Sequence, residues 1–161
     1  MKILVSACLL GVRCRYDGGG NEQKWIRNLA KSQQLIPVCP EQLGGLPTPR
    51  PPVEWRDGRA VNTEGADCTE AFMRGAAEAV KIARCTGCEL AILKARSPSC
   101  GCRQIYDGTF NGRRIEGQGA AARLLAESGL PVMDEEEAET FFALEISGAE
   151  TDGKSERRRE G

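Results

Sequence analysis

Apolar residues gather into four short runs along this chain: Ile3-Leu4-Val5, Leu35-Ile36-Pro37-Val38, Leu90-Ala91-Ile92-Leu93 and Val132-Met133. Runs of this length, bounded by Gly and Pro and separated by helical stretches, predict parallel strands over residues 2–7, 35–38, 90–93 and 132–133. The intervening segments predict helices. Asn21 is placed to cap one that runs to about Ser32. Asp67 and Glu70 have the spacing of a capping box before an Ala-rich helix from Phe72 to about Arg84. Ala120–Ser128 is a third helix, and Asp134 caps a last, acidic one reaching Ile146. Two long segments carry no such pattern. Residues 40–63 are too rich in proline for a helix interior or a central strand, and residues 97–119 form a second long loop.

The order βαβαβαβα predicts an α/β fold, a small Rossmann-like parallel sheet with helices on its faces. At 161 residues the chain suits a single domain, expected over residues 1–146. The tail, residues 147–161, lacks apolar content and is expected to be disordered. The 22 basic and 23 acidic residues balance, so no global field draws the chain to nucleic acid. No apolar run approaches the roughly 18 residues needed to cross a bilayer. Met1-Lys2-Ile3-Leu4-Val5 is too brief for a secretory signal and reads as the first strand. These features predict a soluble, cytoplasmic protein without a membrane partner.

The chain holds eight cysteines and no histidine. In a protein without an export signal, that favours metal or redox chemistry over a disulfide framework. Cys8 and Cys39 close the first two strands, and Cys100 lies in the turn Arg96-Ser97-Pro98-Ser99-Cys100-Gly101 just after the third. Ligands of such sheets bind beyond the carboxyl ends of the strands, so the three thiols should gather at one edge. Three thiolates without a fourth suggest a metal site with one open position. Zinc or an iron–sulfur cluster would satisfy this, and Cys14 or Cys102 remains available as a fourth ligand or a substitute.

Cys85-Thr86-Gly87-Cys88 matches a Cys-x-x-Cys pattern but falls at the opposite, amino edge, which favours a structural role. Cys68, at a helix start, is expected to pack. Gly18-Gly19-Gly20 lacks the spacing of a dinucleotide fingerprint. Asp17 and Asp107 each precede glycine and are explained as turns. Arg50 and Arg96 could hold a substrate oxygen, balance a negative cluster, or lie on the surface.

Ser6-Ala7-Cys8-Leu9-Leu10-Gly11, Arg15-Tyr16-Asp17-Gly18, Pro37-Val38-Cys39-Pro40-Glu41, Leu43-Gly44-Gly45-Leu46-Pro47-Thr48-Pro49-Arg50, Lys94-Ala95-Arg96-Ser97-Pro98-Ser99-Cys100-Gly101 and Ile105-Tyr106-Asp107-Gly108 together resemble the thiouracil desulfidase family. The resemblance runs from about residue 2 to residue 133. It implies a [4Fe–4S] cluster held by Cys8, Cys39 and Cys100, with one iron left open for the sulfur of a thiolated pyrimidine. Water then replaces that sulfur without net redox change, giving uracil and sulfide from 2- or 4-thiouracil. The family's acid–base group falls on Glu41, and its implicated serine on Ser97. Two alternatives stand beside this reading. One is desulfuration of 4-thiouridine in tRNA, which the charge balance does not favour. The other is a non-catalytic zinc or thiol-sensing module closed by Cys14 or Cys102.

Overall fold

The structure, a computed structural model, describes residues 1–143. Four parallel strands form its central sheet: β1 (Lys2–Ser6), β2 (Gln34–Val38), β5 (Leu90–Leu93) and β8 (Val132–Asp134). Their spatial order is β2-β1-β5-β8. This is the expected α/β architecture, with all four strands where the apolar runs placed them. Ile3, Leu4, Val5, Ala91, Ile92 and Leu93 are fully buried, as strands covered on both faces require. Pro37 pairs with Val5 in β2, an edge strand, where its missing N–H can be tolerated.

One face of the sheet is covered by α1 (Lys24–Leu29) and by the helix over residues 135–143, α5, through Ile26, Leu29, Ala138 and Phe142. The other carries α3 (Thr69–Thr86) and α4 (Ala120–Glu127), through Ala83, Ala122 and Leu125. Asp134 caps α5 by accepting the Glu137 N–H at 2.9 Å. The stretch of that helix expected beyond residue 143, the domain boundary at 146 and the tail 147–161 lie outside the described residues.

Several local expectations need correction. Asn21 does not cap α1. The N–H groups of Asn21 and Gln23 instead donate to Cys8 and Leu9 carbonyls at 2.8 and 2.9 Å, holding this stretch extended until Lys24. That helix also stops at Leu29 rather than about Ser32. Asp67 and Glu70 do not form a capping box. Asp67 accepts from the Thr69 N–H at 2.9 Å in a turn before the helix, Cys68 takes the cap position, and Glu70 pairs with Arg74.

Neither long segment is structureless. Residues 40–63 contain a one-turn helix, α2 (Pro40–Leu43), and the antiparallel hairpin β3 (Val53–Arg56) and β4 (Arg59–Asn62). Asp57 and Gly58 link the hairpin with positive φ values of 49° and 76°, the two-residue turn that Asp-Gly favours. The second segment holds a smaller hairpin, β6 (Gln104–Tyr106) with β7 (Arg114–Glu116).

Two glycines set how closely α2 lies on α3. A Cβ on Gly75 would fall 1.8 Å from the Pro40 carbonyl oxygen, and one on Gly44 would fall 2.0 Å from that of Ala71. Only bare backbone permits this approach. It fixes the short helix that carries Glu41.

Candidate active site

Each of the three strand-end cysteines is presented by a different local device. After β1 the chain makes a single 3-10 turn, Ala7–Leu10, which ends at Gly11 in the left-handed conformation and turns Cys8 inward. After β2, Cys39 is extended and becomes the N-cap of α2, with Pro40 at the first helical position, where its missing N–H costs nothing. After β5, the turn Ser97–Cys100 is closed by a side chain. The Ser97 hydroxyl oxygen accepts the Ser99 and Cys100 N–H groups at 3.2 and 3.1 Å.

Cys8, Cys39 and Cys100 thereby line one cavity of about 540 Å³ beyond the carboxyl ends of the strands. Cys14 lines it too and is buried beside Cys8 and Cys39, and the Cys39 thiol donates to the Cys14 carbonyl at 3.7 Å. Cys102 does not. It opens on a neighbouring cavity beside Asp134 and Glu137, and its thiol donates to the Cys100 carbonyl at 3.6 Å. Cys85 is exposed and Cys88 half-buried at the other end of β5, away from the cavity. Cys68 packs beside the cluster around Phe72.

Three of the cavity thiols, Cys14, Cys39 and Cys100, hold their protons strongly. Hydrogen bonding to Cys39 lowers the pKa of Cys14, but contact with Cys8 and burial outweigh it and push the thiol up to about 11. The hydrogen bond with Cys14 raises Cys39 well above the ordinary thiol range, and burial adds to it. Burial raises Cys100 to about 11, against hydrogen bonds from Ser6 and Ser99 that lower it. A thiolate-binding metal or cluster must displace these protons. Among the described residues, no three Cys, Asp or Glu side chains converge tightly enough to hold a single ion. The cysteines rim the cavity instead.

Glu41 enters the same cavity with both oxygens engaged. Its Oε1 accepts from Arg50 Nε at 3.1 Å and its Oε2 from Ser99 Oγ at 2.9 Å. Ser99 Oγ lies 3.1 Å from Ser97 Oγ. With the Ser99 proton directed at Glu41, the Ser97 hydroxyl donates to Ser99. A line of oxygens therefore runs from Ser97 through Ser99 to Glu41.

Ser99 and Arg50 are the residues that sequence reasoning undervalued. Ser99 is 2% exposed, and only its place beside Cys100 hinted at a role. Arg50, which could have been a surface residue, is 8% exposed and bound on several sides. Arg96 is paired with Glu136 at 3.0 Å and stands at the cavity wall with a positive φ of 65°. Asp17 and Asp107 serve the turns expected of them, accepting the Gly19 and Thr109 N–H groups. Trp55 ties the β3–β4 hairpin to the cysteine turn by donating to the Pro98 carbonyl at 2.7 Å. The proline-rich segment is thus a wall of the site.

Comparisons with known proteins place the chain in a family. The family model described as 2-thiouracil desulfurase matches residues 3–137. The uncharacterized protein YbbK of Bacillus subtilis (strain 168) is 41% identical over 145 residues, covering 84% of this chain and 96% of that protein. A solved [4Fe-4S]-dependent thiouracil desulfidase, TudS, superposes with a TM-score of 0.82 at 41% identity, covering 90% of this chain and 98% of the other. The cavity lined by strand-end cysteines and the acidic side chain fixed within it lie inside the matched span, and the chain belongs to the 2-thiouracil desulfurase family.

Proposed function

We propose that this protein removes sulfur from a thiolated pyrimidine by water, without net redox change, at a [4Fe–4S] cluster held by Cys8, Cys39 and Cys100. The overall step balances as C=S plus H₂O giving C=O plus H₂S. The observation that carries the reading is the convergence of three strand-end thiols and one doubly anchored carboxylate on a single cavity. The donor set fits such a cluster: the ligands are cysteines, there is no histidine, and the thiols rim a volume larger than a single ion. When bound, the cluster supplies a Lewis-acidic iron with an affinity for the thiocarbonyl sulfur.

The chain's own residues do the rest. Glu41 takes the proton of the water that attacks the thiocarbonyl carbon and returns it to the departing sulfur, as a positioned carboxylate can. Ser97 acts at the other end of the hydroxyl line, where it both holds the Cys100 turn and touches the reacting groups. Cys14 is a neighbour of the ligands and stands outside the set of three. A closed zinc module would require four thiols around one point, and the described cysteines do not adopt that arrangement. No described helix is long and apolar enough to cross a membrane.

The test is sulfide release from 2-thiouracil and 4-thiouracil by anaerobically reconstituted protein, beside Cys8→Ala, Cys100→Ala and Cys14→Ala. Release abolished by the first two and retained in the third is the expected result. Protein that carries its full iron and releases no sulfide from either base would exclude free thiouracil as substrate.

A further inference from the structure

Arg50 occupies a position that the family resemblance leaves open. It lies within the proline-rich segment, nine residues after Glu41 and 36 after Cys14, yet its guanidinium bonds to both. Nε donates to Glu41 Oε1 at 3.1 Å. Nη1 donates to the Pro47 carbonyl at 3.2 Å and to Thr48 Oγ1 at 3.0 Å. Nη2 donates to the Cys14 carbonyl at 2.9 Å. Four of its five N–H groups are therefore committed to protein acceptors. The Arg50 N–H itself donates to the Tyr16 carbonyl at 2.8 Å, fastening the same loop from the backbone side.

A side chain with its donors spent in this way is not free to grip a substrate oxygen. It does hold Glu41 from one side, while Ser99 Oγ holds the other oxygen at 2.9 Å. Two anchors at two oxygens fix both the place and the plane of the carboxylate. The side chains of Arg50 and Glu41 are only 4% and 13% exposed. Water cannot readily replace either partner there, and losing one leaves a buried charge unpaired. The planar fork of arginine can serve acceptors in several directions, which a lysine ammonium cannot reproduce.

We infer that Arg50 is the positioning residue of this site: it aims the Glu41 carboxylate at the reacting atoms and ties it to the Cys14 loop, without itself binding substrate. The inference rests on the proposed desulfuration, in which Glu41 moves the proton. Misplacing a reacting group by about an ångström costs on the order of a hundredfold in rate.

The test uses reconstituted full-length wild type, Arg50→Met and Arg50→Lys, with steady-state kinetics on thiouracil and iron content measured on the same samples. Arg50→Met is expected to lower kcat about a hundredfold, with KM within about twofold and iron content at the wild-type level. Arg50→Lys, which keeps the charge and loses the fork, is expected to recover only part of that. A raised KM with unchanged kcat would make Arg50 a substrate-binding residue and overturn the inference. Loss of iron in proportion to activity would make it a scaffold for the cysteines, with the same consequence.

A second readout is independent of turnover. Melting temperatures of the apo-proteins with Arg50→Met, Glu41→Gln and both changes should be strongly non-additive, the double variant being less destabilised than the sum. Additive losses would show that Glu41 is not the partner through which Arg50 acts. If the wild type releases no sulfide while this coupling is present, the proposed reaction fails and the Arg50–Glu41 tie stands.

Discussion

Cys14 and Cys100 are pushed up to about 11 from an ordinary thiol value of 9.0, Cys14 by contact with Cys8 and by burial, Cys100 by burial with Glu41 and Cys39 nearby. The folded apo-protein thus binds these protons more tightly than the unfolded chain does. The corresponding stability is complete below pH 9.0 and is lost as the pH rises through about 11. The melting temperature of the apo-protein should fall across that window, and Cys14→Ala should flatten part of the decline. A curve that is level from pH 9 to 11 would contradict the burial of these thiols. Ser97 makes a different residue-scale prediction. Its oxygen accepts two backbone N–H groups and approaches Ser99 at 3.1 Å. Ser97→Ala should lower kcat by about a hundredfold or more if its hydroxyl takes part in proton transfer. Ser97→Thr, which keeps the hydroxyl, should restore most of it. Equal losses in both variants would assign Ser97 to the turn alone.

At the scale of elements, the site depends on how α2 is seated. The first turn of that helix carries Glu41 two residues after Cys39, and the helix lies against α3 where Gly75 faces the Pro40 carbonyl. A methyl group there would fall 1.8 Å from that oxygen, so Gly75→Ala must push the two helices apart. The expected cost is about 1–3 kcal/mol or more, read as a lower melting temperature, together with a fall in kcat as Glu41 leaves its anchors. A neutral Gly75→Ala would mean that α2 is not held as the structure shows. The cap of α5 offers a milder comparison. Asp134→Ala removes the bond to the Glu137 N–H and should cost about 1 kcal/mol. Calorimetry on the apo-protein would measure it, and an unchanged transition would place the cap outside the folding unit.

For the whole molecule, the consequence is an edge-wise division of labour. The sheet order β2-β1-β5-β8 puts the chain's change of direction between β1 and β5, and the cavity opens beyond that point, as expected for doubly wound sheets. The hairpin β3–β4 closes one wall through Trp55 and Pro98. The charge balance of 22 basic against 23 acidic residues leaves no broad field for a polyanion. Sulfide release from free thiouracil should therefore change little between low and moderate salt, whereas an RNA substrate bound through phosphates would lose affinity steeply. A salt-sensitive KM for the free base would contradict that picture.

What the sequence determined by itself was the sheet and its edge. Four apolar runs placed four parallel strands because strands buried on both faces leave continuous hydrophobic residues in the chain. The positions of Cys8, Cys39 and Cys100 followed, since strand ends are local features. The family motifs added Glu41 and Ser97 as expectations. Where the sequence misled, long-range contacts had overruled local signals. Asn21 has a capping side chain, but the Cys8 and Leu9 carbonyls claim the backbone around it. The prolines of residues 40–63 argued against a helix interior or a central strand and left the segment reading as a long loop, yet the Asp57-Gly58 turn lies just beyond them and makes a separate hairpin possible. Only the tertiary structure decided that Cys14 joins the cavity and Cys102 does not, and that Arg50 and Ser99 clasp Glu41 from two sides. Those relations link residues 9 and 58 positions from Glu41 in the chain, and no local pattern can encode a contact that exists only once the sheet has assembled.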